Sequence, residues 1–351
     1  MSLINKILPT NSLTTVSLST PVKIRPVEED KFPPRSVPFL FDSICKKYPN
    51  RIALCRKVKK KWVTITYKKY RELVRTCAKA FISLGLTPNS VVCIIGFNSP
   101  EWFISDLAAI YAGGVAAGIY TTNSPEACLY CISHSKAKIV VVEDDVQLTK
   151  IMQIRKKAPD LKAIIQYTNP VKSPEVMSWE DVMILGESVK DSVLENALST
   201  VAVNRCCTLV YTSGTTGNPK GVLLSHDNVV YDAYKIAEKL GVTVSPQEIY
   251  VSYLPLSHVA GNVVDIHCTY LNAAKVYFAD KDALRGTLLK TFGEVHPTRI
   301  LSVPRVWEKI FEKFQEMGER NRGIKKILAQ WAKKHGLRKN LAKGKYDFKK
   351  F

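Results

Sequence analysis

Apolar residues recur at three- and four-residue steps from Tyr70 through Leu73, Val74, Cys77 and Phe81 to Leu84. That period predicts an amphipathic helix with one face on a core. The continuous apolar run at 91–97 then reads as a strand buried on both faces. Ser99-Pro100-Glu101 and Ser124-Pro125-Glu126 repeat one start signal. Serine can cap the helix, proline suits the first turn and glutamate complements the helix dipole. Further buried strands are expected at 138–142, 161–166, 207–211, 249–253, 274–278 and 299–303, with helical segments between most of them. The alternation predicts an α/β fold of mostly parallel sheets flanked by helices. Residues 1–36 read as a flexible leader ending in the turn-forming KFPPRS, and 169–178 as a surface linker inside the ordered part.

Charge adds one constraint. Lys and Arg number 51 against 31 acidic residues, and the last 51 positions hold 15 basic and 5 acidic residues, net +10. Such a surface favours anionic partners without choosing among nucleotides, acidic lipids and nucleic acid. No nucleic-acid module is visible, because the aromatic residues form no stacking platform. The nine cysteines are odd in number and several lie inside apolar runs, as in VVCIIGF, so reduced core thiols in a cytoplasmic chain are expected. Cys128 and Cys131 have a zinc-like spacing, but no second pair follows and helix packing is the preferred reading. The first residues lack the apolar core and cleavage site of a signal peptide. The apolar stretch 107–120 is too short to span a bilayer.

The chemistry concentrates at 208–227, TLVYTSGTTGNPKGVLLSHD. A β-rich run ends at Tyr211, and another starts at Gly221 after nine small or polar residues. Gly214 and Gly217 permit a tight loop with inward-pointing amides. Thr212, Ser213, Thr215 and Thr216 add hydroxyls, and Lys220 adds a mobile cation. Small donors plus one positive charge suit a polyphosphate, whose charge is spread over many oxygens. The loop is not the phosphate loop in which Lys-Ser/Thr opens a helix, since Lys220 is followed by Gly221 and a strand. A plain surface turn with a solvated lysine is the alternative.

YTSGTTGNPKGV resembles the phosphate-binding signature of the adenylate-forming (AMP-binding) enzymes, which include acyl-CoA synthetases and firefly luciferase. GFNSPEWF, GIYTTNSPEAC, SYLPLSHVAG and VPRVWEKI look like the bubblegum-type long-chain fatty acyl-CoA synthetases, and the resemblance covers roughly residues 37–340. It implies the N-terminal part of the large adenylate-forming domain. It also implies a long-chain fatty acid–CoA ligase that activates the acid with ATP and passes the acyl group to coenzyme A. By resemblance Thr212, Ser213, Gly214, Thr215, Thr216, Gly217, Asn218, Pro219 and Lys220 form the ATP loop, with Thr216 as a weak Mg²⁺ contact. Lys220 and His258 are the candidate catalytic residues. His258, in LPLSHVAG, matches the position at the head of the fatty-acid pocket; a packed or capping histidine is the alternative. His226 and Asp227 are expected to cap the next helix. Tyr253 is a candidate pocket wall or a core residue, and Trp307 is expected in the core, with a substrate wall as its alternative.

The family's adenine-holding segment, its ribose-binding aspartate, its hinge and its small C-terminal domain have no counterpart in these 351 residues. Residues 37–351 are therefore expected to be an incomplete AMP-binding domain with the C-terminal domain absent, the main carboxylate ligand of Mg²⁺ lacking, and a basic helical end at 304–351. Such a chain is expected to leave an unpaired sheet edge. The competing reading is a truncated, non-catalytic relative that binds ATP or an acyl ligand and acts by sequestration or pairing. In the basic end, Ile324, Ile327, Leu328, Trp331 and Ala332 form a stripe beside Lys325, Lys326, Lys333 and Lys334. That pattern suits either a helix docked on the parent domain or peripheral contact with a membrane surface. By resemblance the membrane is the endoplasmic reticulum.

Overall fold

The structure is a computed structural model and describes residues 5–26, 32–212, 218–320 and 322–342. Its elements follow in chain order: α1 (Val37–Lys47), β1 (Ile52–Val58), β2 (Lys61–Thr66), α2 (Tyr67–Ser83), β3 (Val91–Ile95), α3 (Pro100–Tyr111), β4 (Val115–Ile119), α4 (Pro125–Ser135), β5 (Ile139–Val142), α5 (Asp145–Ile154), β6 (Ala163–Gln166) and β7 (Val176–Ser178). Then come α6 (Trp179–Ser188), α7 (Asp191–Ser199), β8 (Cys206–Thr212), β9 (Lys220–Ser225), α8 (His226–Lys239) and β10 (Ile249–Ser252). After β10 the run Asn262–Cys268 is π-helical, and it leads to β11 (Lys275–Phe278), α9 (Leu288–Val295), α10 (Pro304–Glu319) and α11 (Ile324–Ala342).

Seven strands form one sheet in the order β7-β6-β5-β3-β4-β8-β9, parallel except for β9. Four form a second, in the order β10-β11-β1-β2, where only β2 is antiparallel. Alternate residues of the central strands serve two separate cores. Val92, Ile94, Ala116 and Val141 belong to one, while Cys93, Ile95, Ala117 and Val142 belong to the other. Every residue of β3 and β5 is buried, which explains why continuous apolar runs mark them.

The start signals work as their chemistry requires. Ser99 accepts from the Trp102 amide at 3.1 Å and Ser124 from the Ala127 amide at 3.2 Å. The apolar stretch 107–120 divides between the end of α3 and β4. Gly113 (φ 73°) makes the turn, and a Cβ on Gly114 would meet the Ser90 carbonyl oxygen at 2.7 Å.

Two expectations change, and one hairpin is new. Residues 299–303 are not a strand: Arg299 alone bridges to Tyr250, and Ile300 and Val303 are exposed, so no burial holds the run in a sheet. The linker 169–178 contains β7 at its end. The β1–β2 hairpin, unforeseen, turns on Lys59 (φ 46°) and Lys60 (φ 68°).

Residues 5–26 contain no helix or strand yet lie against the body. Asn204 receives the Leu8 amide at 2.9 Å and donates to the carbonyls of Leu8 and Val22. Arg25 lies 3.5 Å from Asp227 and over the Tyr231 ring.

Candidate active site

β8 runs buried through the sheet and becomes exposed at Thr212. There it pairs with the start of β9: Thr212 opposes Lys220, and the Thr212 hydroxyl donates to the Lys220 carbonyl at 3.4 Å. This antiparallel pair closes the base of the predicted phosphate loop. Thr212, Asn218 and Lys220 are exposed at its mouth and Pro219 is half-buried. Ser213, Gly214, Thr215, Thr216 and Gly217 lie outside the described residues. Lys220 makes no ion pair among the described residues. It borders a cavity of about 450 Å³ shared with His134, Lys136 and Tyr130, whose other wall includes Thr15, Val16 and Leu18 of the leader. Val16, Leu18, Leu209 and Leu223 make part of the lining apolar, and its charged groups are the cations Lys136 and Lys220, so a ligand that carries negative charge is the complementary one.

His258 arrives from the second sheet. β10 ends at Ser252, and the chain turns through Leu254–Ser257 toward β4. A Cβ on Gly118 of β4 would lie 2.5 Å from the Ser257 Cα, so only glycine lets this turn rest on the strand. Gly118 in turn pairs with Val210 of β8, two residues before Thr212. His258 and the loop base therefore occupy the same end of the seven-stranded sheet. Asn98, just past β3, fixes the turn from the other side, donating to the Ser252 hydroxyl at 2.7 Å and to the Leu254 carbonyl at 2.8 Å.

The His258 ring is exposed, and its Nδ1 accepts from the Ala260 amide at 3.1 Å. When the ring is neutral its proton is consequently on Nε2, free to donate outward. His258 thus caps the short helix Val259–Gly261, which is the capping reading of the sequence, and its ring remains exposed.

Other assignments sort differently. Ser225, not His226 or Asp227, caps α8; it accepts from the Asn228 amide at 3.2 Å. His226 is buried, its Nδ1 accepts from the Val37 amide at 3.3 Å, and burial pushes its pKa down to about 3. Tyr253 is a core residue whose hydroxyl donates to the Leu301 carbonyl at 2.7 Å. Trp307 is 47% exposed on α10 rather than in the core, because the inward stripe of that helix is made by Val306 and Ile310. The α11 stripe is likewise uncovered, with Ile324, Ile327, Leu328 and Trp331 all exposed. All nine cysteines are free and buried, Cys128 and Cys131 among them. Among the described residues no three His, Cys, Asp or Glu side chains cluster to hold a metal ion, and no helix is long and apolar enough to cross a membrane.

Sequence reasoning missed Gly118 and Asn98. The first carries a signal in hindsight, a lone glycine within VAAGI, which marks close backbone approach in a strand. Asn98 carries none, since its partners lie 154 and 156 residues away.

A largely parallel α/β sheet with the β8–β9 hairpin at one side, and the His258 turn laid against the neighbouring strand β4, defines a sheet-based α/β domain. The profile of the AMP-binding enzyme family matches residues 41–341, and the chain belongs to that family. It is 46% identical over 344 residues to the long-chain-fatty-acid–CoA ligase ACSBG2 of Xenopus laevis, covering 96% of this chain and 46% of that protein. It is 44% identical over 318 residues to human ACSBG2, covering 90% and 48%. The chain spans just under half the length of these curated relatives. Among solved structures, the anthranilate CoA ligase AuaEII in complex with anthranoyl-AMP superposes with a TM-score of 0.69 at 20% identity, over 80% of this chain and 52% of that one. That likeness concerns the fold.

Proposed function

We propose that this chain carries the ATP-phosphate loop and the acyl-carboxylate turn of a long-chain fatty acid–CoA ligase. The observation that carries the reading is the convergence of the Lys220 hairpin and the His258 turn at one sheet end, through Gly118. The names of the relatives supply the substrate class.

In this reaction a carboxylate oxygen of the fatty acid attacks the α-phosphorus of ATP, and the bond to pyrophosphate breaks. The thiol of coenzyme A then attacks the acyl carbon and AMP leaves. Lys220 and the loop hydroxyls offset charge on the departing β- and γ-phosphates; they position and stabilise without forming a covalent bond. The His258 Nε2 proton donates to the carboxylate oxygen that is not attacking and so orients the acid. Mg²⁺ in such a site is carried chiefly by phosphate oxygens and water. Among the described residues no three His, Cys, Asp or Glu side chains converge to add ligands to it.

The test is fatty-acid-dependent exchange of labelled pyrophosphate into ATP by the native protein. Exchange that requires a long-chain acid and falls in Lys220→Ala supports the reading. Exchange independent of the acid, or untouched by Lys220→Ala, removes it.

A second element of the proposal is peripheral membrane contact from the cytoplasmic side. Trp307, Phe311 and Phe314 are exposed on α10, as are Ile327, Leu328 and Trp331 on α11, beside Lys325, Lys326, Lys333 and Lys334. Flotation with anionic but not neutral vesicles supports contact; no flotation with either rejects it.

A further inference from the structure

Asp106 of α3 is fully buried, and its Oδ1 accepts from Asn262 Nδ2 at 3.1 Å. Its Oδ2 and the Asn262 Oδ1 are both buried and both without a partner. Two buried acceptors left unsatisfied on one hydrogen-bonded pair are costly, and native interiors avoid them. Among the described residues no cation pairs with the carboxyl: its hydrogen-bond partner is Asn262, and the groups that sense its charge are Tyr70 from α2, Tyr270 after the π-helical run and Cys207 from β8. Burial keeps both hydroxyls and the thiol protonated, so all four are neutral.

We infer that Asp106 is a neutral carboxylic acid whose Oδ2 proton is donated to Asn262 Oδ1, closing a two-hydrogen-bond ring that positions the His258 turn. One proton satisfies both orphaned oxygens at once. Burial also holds the Asp106 pKa up, at about 7, in the same direction. The ring reaches the site through one further bond, because the Asn262 amide donates to the His258 carbonyl at 3.0 Å. The turn between them has no slack, as a Cβ on Gly261 would lie 2.4 Å from the Pro255 carbonyl oxygen. Asn262 also opens the π-helical run, a rare helical form that recurs at functional sites. Asp106 is therefore a positioning residue: it touches no substrate and acts through Asn262.

This positioning role rests on the proposed acyl-carboxylate role of His258, whereas the neutral pair does not. The full 351-residue chain and two variants separate them. In Asp106→Asn, two carboxamides can form the same ring without a titrating proton; in Asp106→Leu the ring is gone.

Difference infrared spectra of wild type minus Asp106→Asn should show a protonated-carboxyl band one pH unit below about 7 that fades one unit above it. The native acid holds a proton that the unfolded chain releases above its ordinary 3.8. Wild type should therefore lose about tenfold in folding equilibrium constant per pH unit, relative to Asp106→Asn, from that value up to about 7.

Binding of a fluorescent long-chain fatty acid should survive in Asp106→Asn and weaken about tenfold in Asp106→Leu, with ATP binding unchanged in both. Absence of the band, or identical pH slopes in wild type and Asp106→Asn, overturns the neutral pair. Equal fatty-acid binding by all three proteins overturns the positioning role. If wild type binds no fatty acid while the band and the slope remain, the acyl reading and the positioning role fall together and the neutral pair stands.

Discussion

Ser257 rests on Gly118 so closely that a methyl group there would come within 2.5 Å of the serine Cα. This contact joins the turn after β10 to the strand beside β8, and it brings His258 to the end of the sheet where the proposed phosphate loop starts. The neighbour that would have to move is backbone, so the cost cannot be relieved by a rotamer change. Gly118→Ala should destabilise the fold by roughly 1–3 kcal/mol, the usual range for overpacking. Urea unfolding measures it. Fatty-acid-dependent pyrophosphate exchange should fall further than the loss of folded protein accounts for.

His226 and His267 are buried, and burial pushes each pKa from 6.5 down to about 3. The folded-state values are depressed, so below pH 6.5 the unfolded chain takes up protons that the native chain refuses. Each histidine therefore contributes stability that is present above 6.5 and lost as pH falls toward about 3, at about 1.4 kcal/mol per pH unit at most. His226→Asn retains an acceptor for the Val37 amide but cannot titrate. Relative to wild type it should become more stable, unit by unit, as the solution is acidified below 6.5. Parallel pH curves for the two proteins would show that His226 is protonated in the fold.

The β1–β2 turn holds Lys59 and Lys60 at positive φ. Two-residue hairpin loops with both residues there favour Asn-Gly. Lys59→Asn with Lys60→Gly should therefore raise stability by about 0.5–1 kcal/mol, read as a higher urea midpoint at unchanged slope.

Much of the fold was legible because the signals are local. The 70–84 periodicity lies on α2 and its cap, and the two Ser-Pro-Glu starts lie at the first turns of α3 and α4. The two β-rich runs around the loop pair as β8 and β9. What stayed hidden is of two kinds. The Lys59–Lys60 turn uses residues that carry no turn signal. The Asp106–Asn262 pair joins residues 156 apart. Arg299–Val303 misled for the opposite reason: its composition suits a strand, but little buries its side chains. At the candidate site, Lys220 and His258 are proposed from motif, whereas the contacts of Gly118 and Asn98 with the His258 turn are seen only in three dimensions.

The central claim is that the Lys220 loop handles the polyphosphate of ATP, and calorimetric titration of the native protein with ATP and with inorganic pyrophosphate tests it most directly. Lys220 is exposed and makes no ion pair among the described residues, so Lys220→Ala should leave the unfolding midpoint unchanged. It should weaken both ligands by about five- to tenfold, as expected for one charge-assisted contact screened by solvent. Equal affinity in the two proteins, or no binding of either ligand by the folded wild type, would contradict the account.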